Sequence, residues 1–195
     1  YRHRIKKASF VLKIYLIITV FLKYIINLFY LPKTQNLDDY SKENQNLFQK
    51  DLNYLCEYFN SDKGERFVNQ YAKPSKKDDK KIIAHGYAKI YEKYLKEHKE
   101  KNLNIIELGS FYGNASAAFY FYFKNSQIYS ADINPDMYLY RSKRLINFFT
   151  DTSSRSSIEK NILKKNIQFD LIIEDASHML KDQIISLFIL FKNLK

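Results

Sequence analysis

From residue 103 onward, short apolar runs alternate with helical stretches, and this alternation leaves few folds open. "LNIIELGS" (103–110), "QIYSADINP" (127–135) and "FDLIIED" (169–175) read as strands. "NASAAFYFYFKN" (114–125), "DMYLYRSKRLINFF" (136–149), "SSIEKNILKKN" (156–166) and "MLKDQIISLFILFKNL" (179–194) read as helices. A further strand is hard to see and is placed at 147–151. Strands separated by helices imply right-handed crossovers and a parallel sheet covered by helices on both faces, an α/β fold.

The preceding sequence is different. Residues 8–31, "ASFVLKIYLIITVFLKYIINLFYL", are apolar apart from Lys13, Lys23 and Asn27, and follow Arg2, Arg4, Lys6 and Lys7. A bilayer needs about 20 apolar residues, so the segment reads as a membrane-contacting helix, with a core-packing helix as the alternative and spanning as a third. Residues 33–50 are polar, a linker or surface helix. "LFQKDLNYLCEYF" (47–59) and "IIAHGYAKIYEKYLKEH" (82–98) have helical spacing, and "KPSKKDDKK" (73–81) is a solvated loop. The expected organisation is a hydrophobic N-terminal helix (1–35), a helical lid or cap (36–100) and a partial sheet domain (101–195). Tyr1 opens the chain and Lys195 closes it within a helical pattern. The expectation is a fragment, incomplete at its C-terminus, whose strand at 169–174 has an unpaired edge.

Charge and cysteine narrow the classes. The net charge is +11, but the lysines are scattered, so no nucleic-acid partner is expected. Cys56 is the single cysteine, has no internal disulfide partner, and fits a reducing, cytoplasmic compartment. Nothing in the sequence fixes the oligomeric state.

Two of the four glycines, Gly109 and Gly113, lie in "ELGSFYGNAS" at a strand-to-helix turn, where the backbone bends tightly and a helix offers free N–H groups. The spacing is not the Gly-x-Gly-x-x-Gly of dinucleotide binders. Glu107, two residues ahead of Gly109, repels a pyrophosphate and welcomes a cation, which points to S-adenosylmethionine. Asp132, ending "SAD", has the position of an acid that accepts from ribose hydroxyls. The alternative readings are a structural turn and a nicotinamide-binding oxidoreductase. "FDLIIEDASH" (169–178) places Glu174, Asp175, Ser177 and His178 at the mouth of an apolar strand. Asp175 and Ser177 have a second reading as caps of the helix near Met179.

Taken in order, "SDKG" (61–64), "HGY" (85–87), "YEKYL" (91–95), the glycine turn, "DINP" and "FDLIIEDASH" resemble the class I S-adenosylmethionine-dependent methyltransferases. The closer resemblance is to the sugar O-methyltransferases of macrolide biosynthesis and their cephalosporin-hydroxylase-like relatives. That family usually has Asp-Asp-Gly-Ser-His at the last motif, so Glu174 and Ala176 depart from it. The resemblance covers about residues 55–195. It implies a Rossmann-like fold and methyl transfer to a hydroxylated small molecule such as a sugar, assisted by Mg²⁺. It also implies a lid over the donor from Ser61, Asp62 and Lys63, with His85 and Tyr87 at the entrance or, alternatively, only packing their helix. Glu107, Gly109 and Ser110 would face the donor's amino-acid part, Asp132 its ribose and Asp151, a poor match, its adenine, with Gly113 also among the donor-binding residues. Asp175 would bind the metal and His178 act as general base. The family completes its metal site with acids beyond residue 195. A third reading keeps the fold as an inactive membrane-associated module.

Overall fold

A computed structural model describes residues 9–30, 34–67, 82–83 and 85–195. Helix α1 (Phe10–Tyr30) comes first. Strand β1 (Gln35–Asn36) leads into α2 (Leu37–Glu43), whose N–H at Asp38 donates to the Asn36 side chain, a helix cap. A 3₁₀ turn (Gln45–Gln49) precedes α3 (Leu52–Tyr58), capped by Asp51. Then come β2 (Arg66–Phe67), β3 (Ile82–Ile83), α4 (Tyr87–Leu95) and β4 (Asn104–Leu108). Helix α5 (Asn114–Tyr122), β5 (Gln127–Asp132), β6 (Tyr140–Arg141), β7 (Leu145–Phe149), α6 (Arg155–Asn161), β8 (Leu171–Glu174) and α7 (Leu180–Leu190) complete the chain.

The central sheet is parallel, in the order β7-β5-β4-β8. Alternation along each strand separates two cores. Ile105, Ile128, Leu145 and Ile173 face α5, together with Leu37, Leu52, Leu55, Cys56, Phe59 and Ala88. Ile106, Leu108, Tyr129, Ala131 and Phe169 face α6 and α7, packing on Ile158, Ile162, Ile189 and Leu190. The fold is therefore α/β and Rossmann-like, a parallel sheet with helices on both faces. Apolar residues between 36 and 100 belong to the first of these cores.

Three sequence expectations change. Residues 136–149 do not form a helix: a 3₁₀ turn (Pro135–Met137) is followed by β6, paired with β1, and by β7, paired with β5. Long-range pairing overrides the local spacing, and the strand expected at 147–151 spans Leu145–Phe149 instead. The helix expected from 82 starts at Tyr87, because Ile82–Ile83 pair with Arg66–Phe67 and Gly86 takes φ +68°. The outer edge of β8 is not wholly bare. Phe169 N–H donates to the Asn193 carbonyl and Lys195 N–H to the Phe169 carbonyl, so 193–195 run parallel beside its start.

Among the described residues no helix is long and apolar enough to cross a membrane. Phe10, Val11, Ile14, Ile17 and Phe21 of α1 stand exposed. Residues 8 and 31 of the apolar run, and the whole loop expected at 73–81, lie outside the described residues.

Candidate active site

In this strand order the chain passes from one side of the sheet to the other across β4 and β8. Ligands of open α/β sheets bind at such a reversal, beyond the carboxyl ends of the strands. The "ELGS" and "EDASH" loops meet there. Gly109, at φ +86°, is packed so closely that a Cβ would lie 2.2 Å from the Asp175 carbonyl oxygen and 2.4 Å from Ala176 Cα. This glycine serves chain-on-chain contact as well as the bend. Gly113, at φ +80°, abuts the Tyr138 ring under the start of α5.

The lid loop arrives from the other side. Helix α3 ends with Asn60 in the left-handed conformation, and Ser61 N–H donates back to the Cys56 carbonyl, a Schellman-type termination that throws residues 61–64 over the strand ends. The "HGY" segment holds this loop by its backbone. His85, Gly86 and Ala88 N–H groups donate to the Asp62, Gly64 and Lys63 carbonyls, at 3.0, 3.0 and 2.8 Å. The His85 and Tyr87 rings stack on each other, centroids 5.1 Å apart.

A cavity of about 320 Å³ results. Its wall brings together Ser61, Asp62, Lys63, Glu107, Gly109, Ser110, Asp132, Asp175 and His178. Of the other site residues expected from sequence, Gly113 lies outside this wall and Asp151 lines a second hollow of about 330 Å³. The two hollows share Gly109, Asp132, Ile133 and Ala176. Asp151 Oδ1 accepts from its own loop, from Ser153 N–H at 3.1 Å and Ser153 Oγ at 2.6 Å.

Lys63 governs the electrostatics. Its side chain is 4% exposed; its ammonium lies 3.0 Å from Glu107 Oε1 and bonds Asp175 Oδ2. Burial alone would lower the ammonium's pKa, but Glu107 and Asp175 outweigh it and hold the group protonated well above the ordinary lysine range. Burial pushes the Glu107 carboxyl up, while Lys63 and the Ser116 hydroxyl oppose the rise. With an ammonium at 3.0 Å and Ser116 Oγ donating at 2.8 Å, the geometry holds Glu107 as a carboxylate. The polar chain continues inward through the Ser116, Ser130 and Tyr138 hydroxyls, each contact 2.8 Å.

Asp132 accepts from Phe111 N–H at 2.8 Å and Asn134 N–H at 2.7 Å, one on each oxygen. Each oxygen keeps a lone pair for a ligand hydroxyl. Ser110 Oγ is buried on the cavity wall without a hydrogen-bond partner among the described residues, an orphan that a polar ligand group would satisfy. His178 takes φ +56°, rare for a non-glycine residue, with its side chain 71% exposed at the mouth and Nε2 3.8 Å from Asp175 Oδ1. Ser177 Oγ accepts from Met179 N–H, whereas α7 has no side-chain cap and Asp175 turns to Lys63.

The described residues do not by themselves assemble a divalent-metal site. Asp175 offers Oδ2 to Lys63, and among the described residues no three His, Cys, Asp or Glu side chains gather to hold an ion. Magnesium prefers octahedral oxygen coordination. Sequence reasoning did not single out Thr150, Thr152 or Asp182, which line the second hollow. An acid in a helix's first turn ordinarily reads as a partner for the helix dipole. Its position seven residues after Asp175 was the only available signal.

No known protein family's sequence profile matches the chain. No curated protein matches it either. Among solved structures, it is similar to the MycE methyltransferase from the mycinamycin biosynthetic pathway in complex with Mg, SAH and mycinamycin VI. That match has 18% identity and a TM-score of 0.42, covering 56% of this chain and 29% of that one. A second MycE structure, with Mg and SAH, gives 21% identity, a TM-score of 0.43 and the same coverage. The chain thus spans under a third of the length of MycE.

Proposed function

We propose that the chain is an S-adenosylmethionine-dependent O-methyltransferase acting on a hydroxyl of a sugar or comparable small molecule. The observation that carries this reading is the charge of the cavity. Among the described residues its wall has the carboxylates of Asp62, Glu107, Asp132 and Asp175 against the one ammonium of Lys63, and no arginine. Such a wall repels a dinucleotide's pyrophosphate and favours a ligand bearing ammonium and sulfonium groups. Asp132, at the junction of the two hollows, would accept from the ribose hydroxyls. Ser110 and Asp62 would take the amino-acid end, and the hollow lined by Thr150, Thr152 and Asp182 the base.

Bound there, the donor supplies an electrophilic methyl carbon. The chain's own residues align the acceptor and manage its proton. His178 stands at the mouth, where an entering hydroxyl meets the cavity, and accepts that proton as general base. Asp175, anchored by Lys63, stabilises the imidazolium that forms and limits where the ring sits. Positioning of the two substrates supplies much of the remaining rate. No step is assigned to a metal. The exposed apolar side chains of α1 are the place for contact with a lipid surface, the other partner this reading includes.

Isothermal titration calorimetry with S-adenosylmethionine, and with NAD⁺ in parallel, tests the reading. Binding of the first and not the second is expected. Asp132→Asn, which removes the charge but keeps an acceptor, should weaken binding about tenfold or more, as loss of a charged hydrogen bond does. Heat with NAD⁺ alone, or none with either ligand and a folded protein, would refute it.

A further inference from the structure

Glu107 on β4 and Asp175 after β8 aim carboxylate oxygens at one point, and Lys63 Nζ fills that point. Hard oxygens converging from separate elements are what a divalent cation requires. Here the positive charge is covalently part of the chain. Three features fix it in place. The lysine side chain is almost wholly enclosed. Its loop is held by the backbone donors of His85, Gly86 and Ala88. Glu107 is braced from behind by Ser116. Withdrawing the ammonium would leave two carboxylates facing each other at low solvent access, an arrangement that demands another cation.

We propose that Lys63 is a built-in replacement for a divalent metal: it neutralises the Glu107–Asp175 pair, holds Asp175 beside His178, and bars Mg²⁺ from the site. Lys63 is then a positioning residue that acts on His178 through Asp175. One part of this, that donor binding needs no metal, rests on the methyltransferase reading; exclusion of the ion does not.

Manganese, as a paramagnetic stand-in for Mg²⁺, gives the test by electron paramagnetic resonance. The wild type and Lys63→Arg, which keeps the charge, should leave Mn²⁺ free at millimolar concentration. Lys63→Met should bind it at least about tenfold more tightly than the wild type, and adding Glu107→Gln should abolish the gain. The proposal is overturned if the wild type binds Mn²⁺ in a manner lost in Asp175→Asn, or if Lys63→Met, folded by circular dichroism, binds no better than the wild type. Should Lys63→Met not fold, the wild-type and Lys63→Arg arms decide: silence supports the proposal and binding overturns it. Calorimetry with S-adenosylhomocysteine then separates the two claims. Equal affinity in EDTA and in Mg²⁺ supports the proposal, and binding only with Mg²⁺ overturns it while leaving the methyltransferase reading intact. No binding in either medium refutes that reading, and with it the donor clause, while the Mn²⁺ arm still decides whether the ion is excluded.

Discussion

Substituting Gly109 by alanine should destabilise the chain more than the same change at Gly113 or Gly86, and the three together separate backbone strain from steric contact. All three glycines have positive φ, at +86°, +80° and +68°. A left-handed non-glycine residue costs about 1–2 kcal/mol, partly offset by the roughly 0.4–1 kcal/mol gained when alanine restricts the unfolded chain. At Gly86 a Cβ meets nothing among the described residues within 4 Å, so Gly86→Ala should cost at most about 1.5 kcal/mol. At Gly113 the obstacle is the Tyr138 ring at 2.4 Å, a buried side chain tethered to Ser130; ring displacement adds about 1–2 kcal/mol. At Gly109 the obstacle is the backbone of Asp175 and Ala176, which no rotamer change can move. The total there should reach about 3–5 kcal/mol, by strain plus overpacking. With a urea slope of about 2 kcal/mol/M, the midpoint falls by about 1.5–2.5 M. Urea unfolding followed by circular dichroism measures the series. If Gly109→Ala costs no more than Gly86→Ala, the two loops do not abut at the strand ends and the site as described is wrong.

Two further outcomes follow from burial. Burial pushes the Cys56 thiol up to about 12, so a thiol reagent should leave native protein unmodified and label it on addition of urea; rapid labelling of the native state contradicts the α3 packing. Burial also raises the hydroxyls of Tyr138 and, to about 12, Tyr140, while carboxylates hold the Lys63 ammonium charged. These folded-state values exceed the unfolded ones of 10.0 and 10.5. Their contribution to stability is therefore complete below about pH 10 and is lost as pH climbs, by about 1.4 kcal/mol per unit for each group. Alkaline unfolding should coincide with late phenolate absorbance; ionisation of all 17 tyrosines at one ordinary midpoint, with helicity intact, would contradict it.

Strands bearing short apolar runs, such as Ile105–Ile106 and Leu171–Ile173, were legible because those runs are bounded by chemistry at their ends. Leu145–Phe149 was obscured because its neighbours Tyr138, Leu139 and Tyr140 make a helical spacing that only pairing with distant Gln35–Asn36 and with β5 resolves. The site followed the same division. Sequence placed Glu107, Asp132, Asp175 and His178 at strand ends, where the cavity lies. It assigned Glu107 to a ligand's cation, whereas the cation against it is that of Lys63, 44 residues earlier in the chain and delivered by the turn at Asn60. Nothing local to "SDKG" reveals that the lysine turns inward, because its burial depends on backbone bonds to the "HGY" segment.

The central claim, a methyl-donor site at the carboxyl ends of β4, β5 and β8, is tested most directly by a crystal structure of the chain grown with S-adenosylhomocysteine. The account predicts ribose hydroxyls on the Asp132 carboxylate, the base in the hollow of Thr150, Thr152 and Asp182, and the sulfur facing the side of the cleft that holds Asp175 and His178. A ligand bound elsewhere, or density absent from the cleft at saturating concentration, would contradict it.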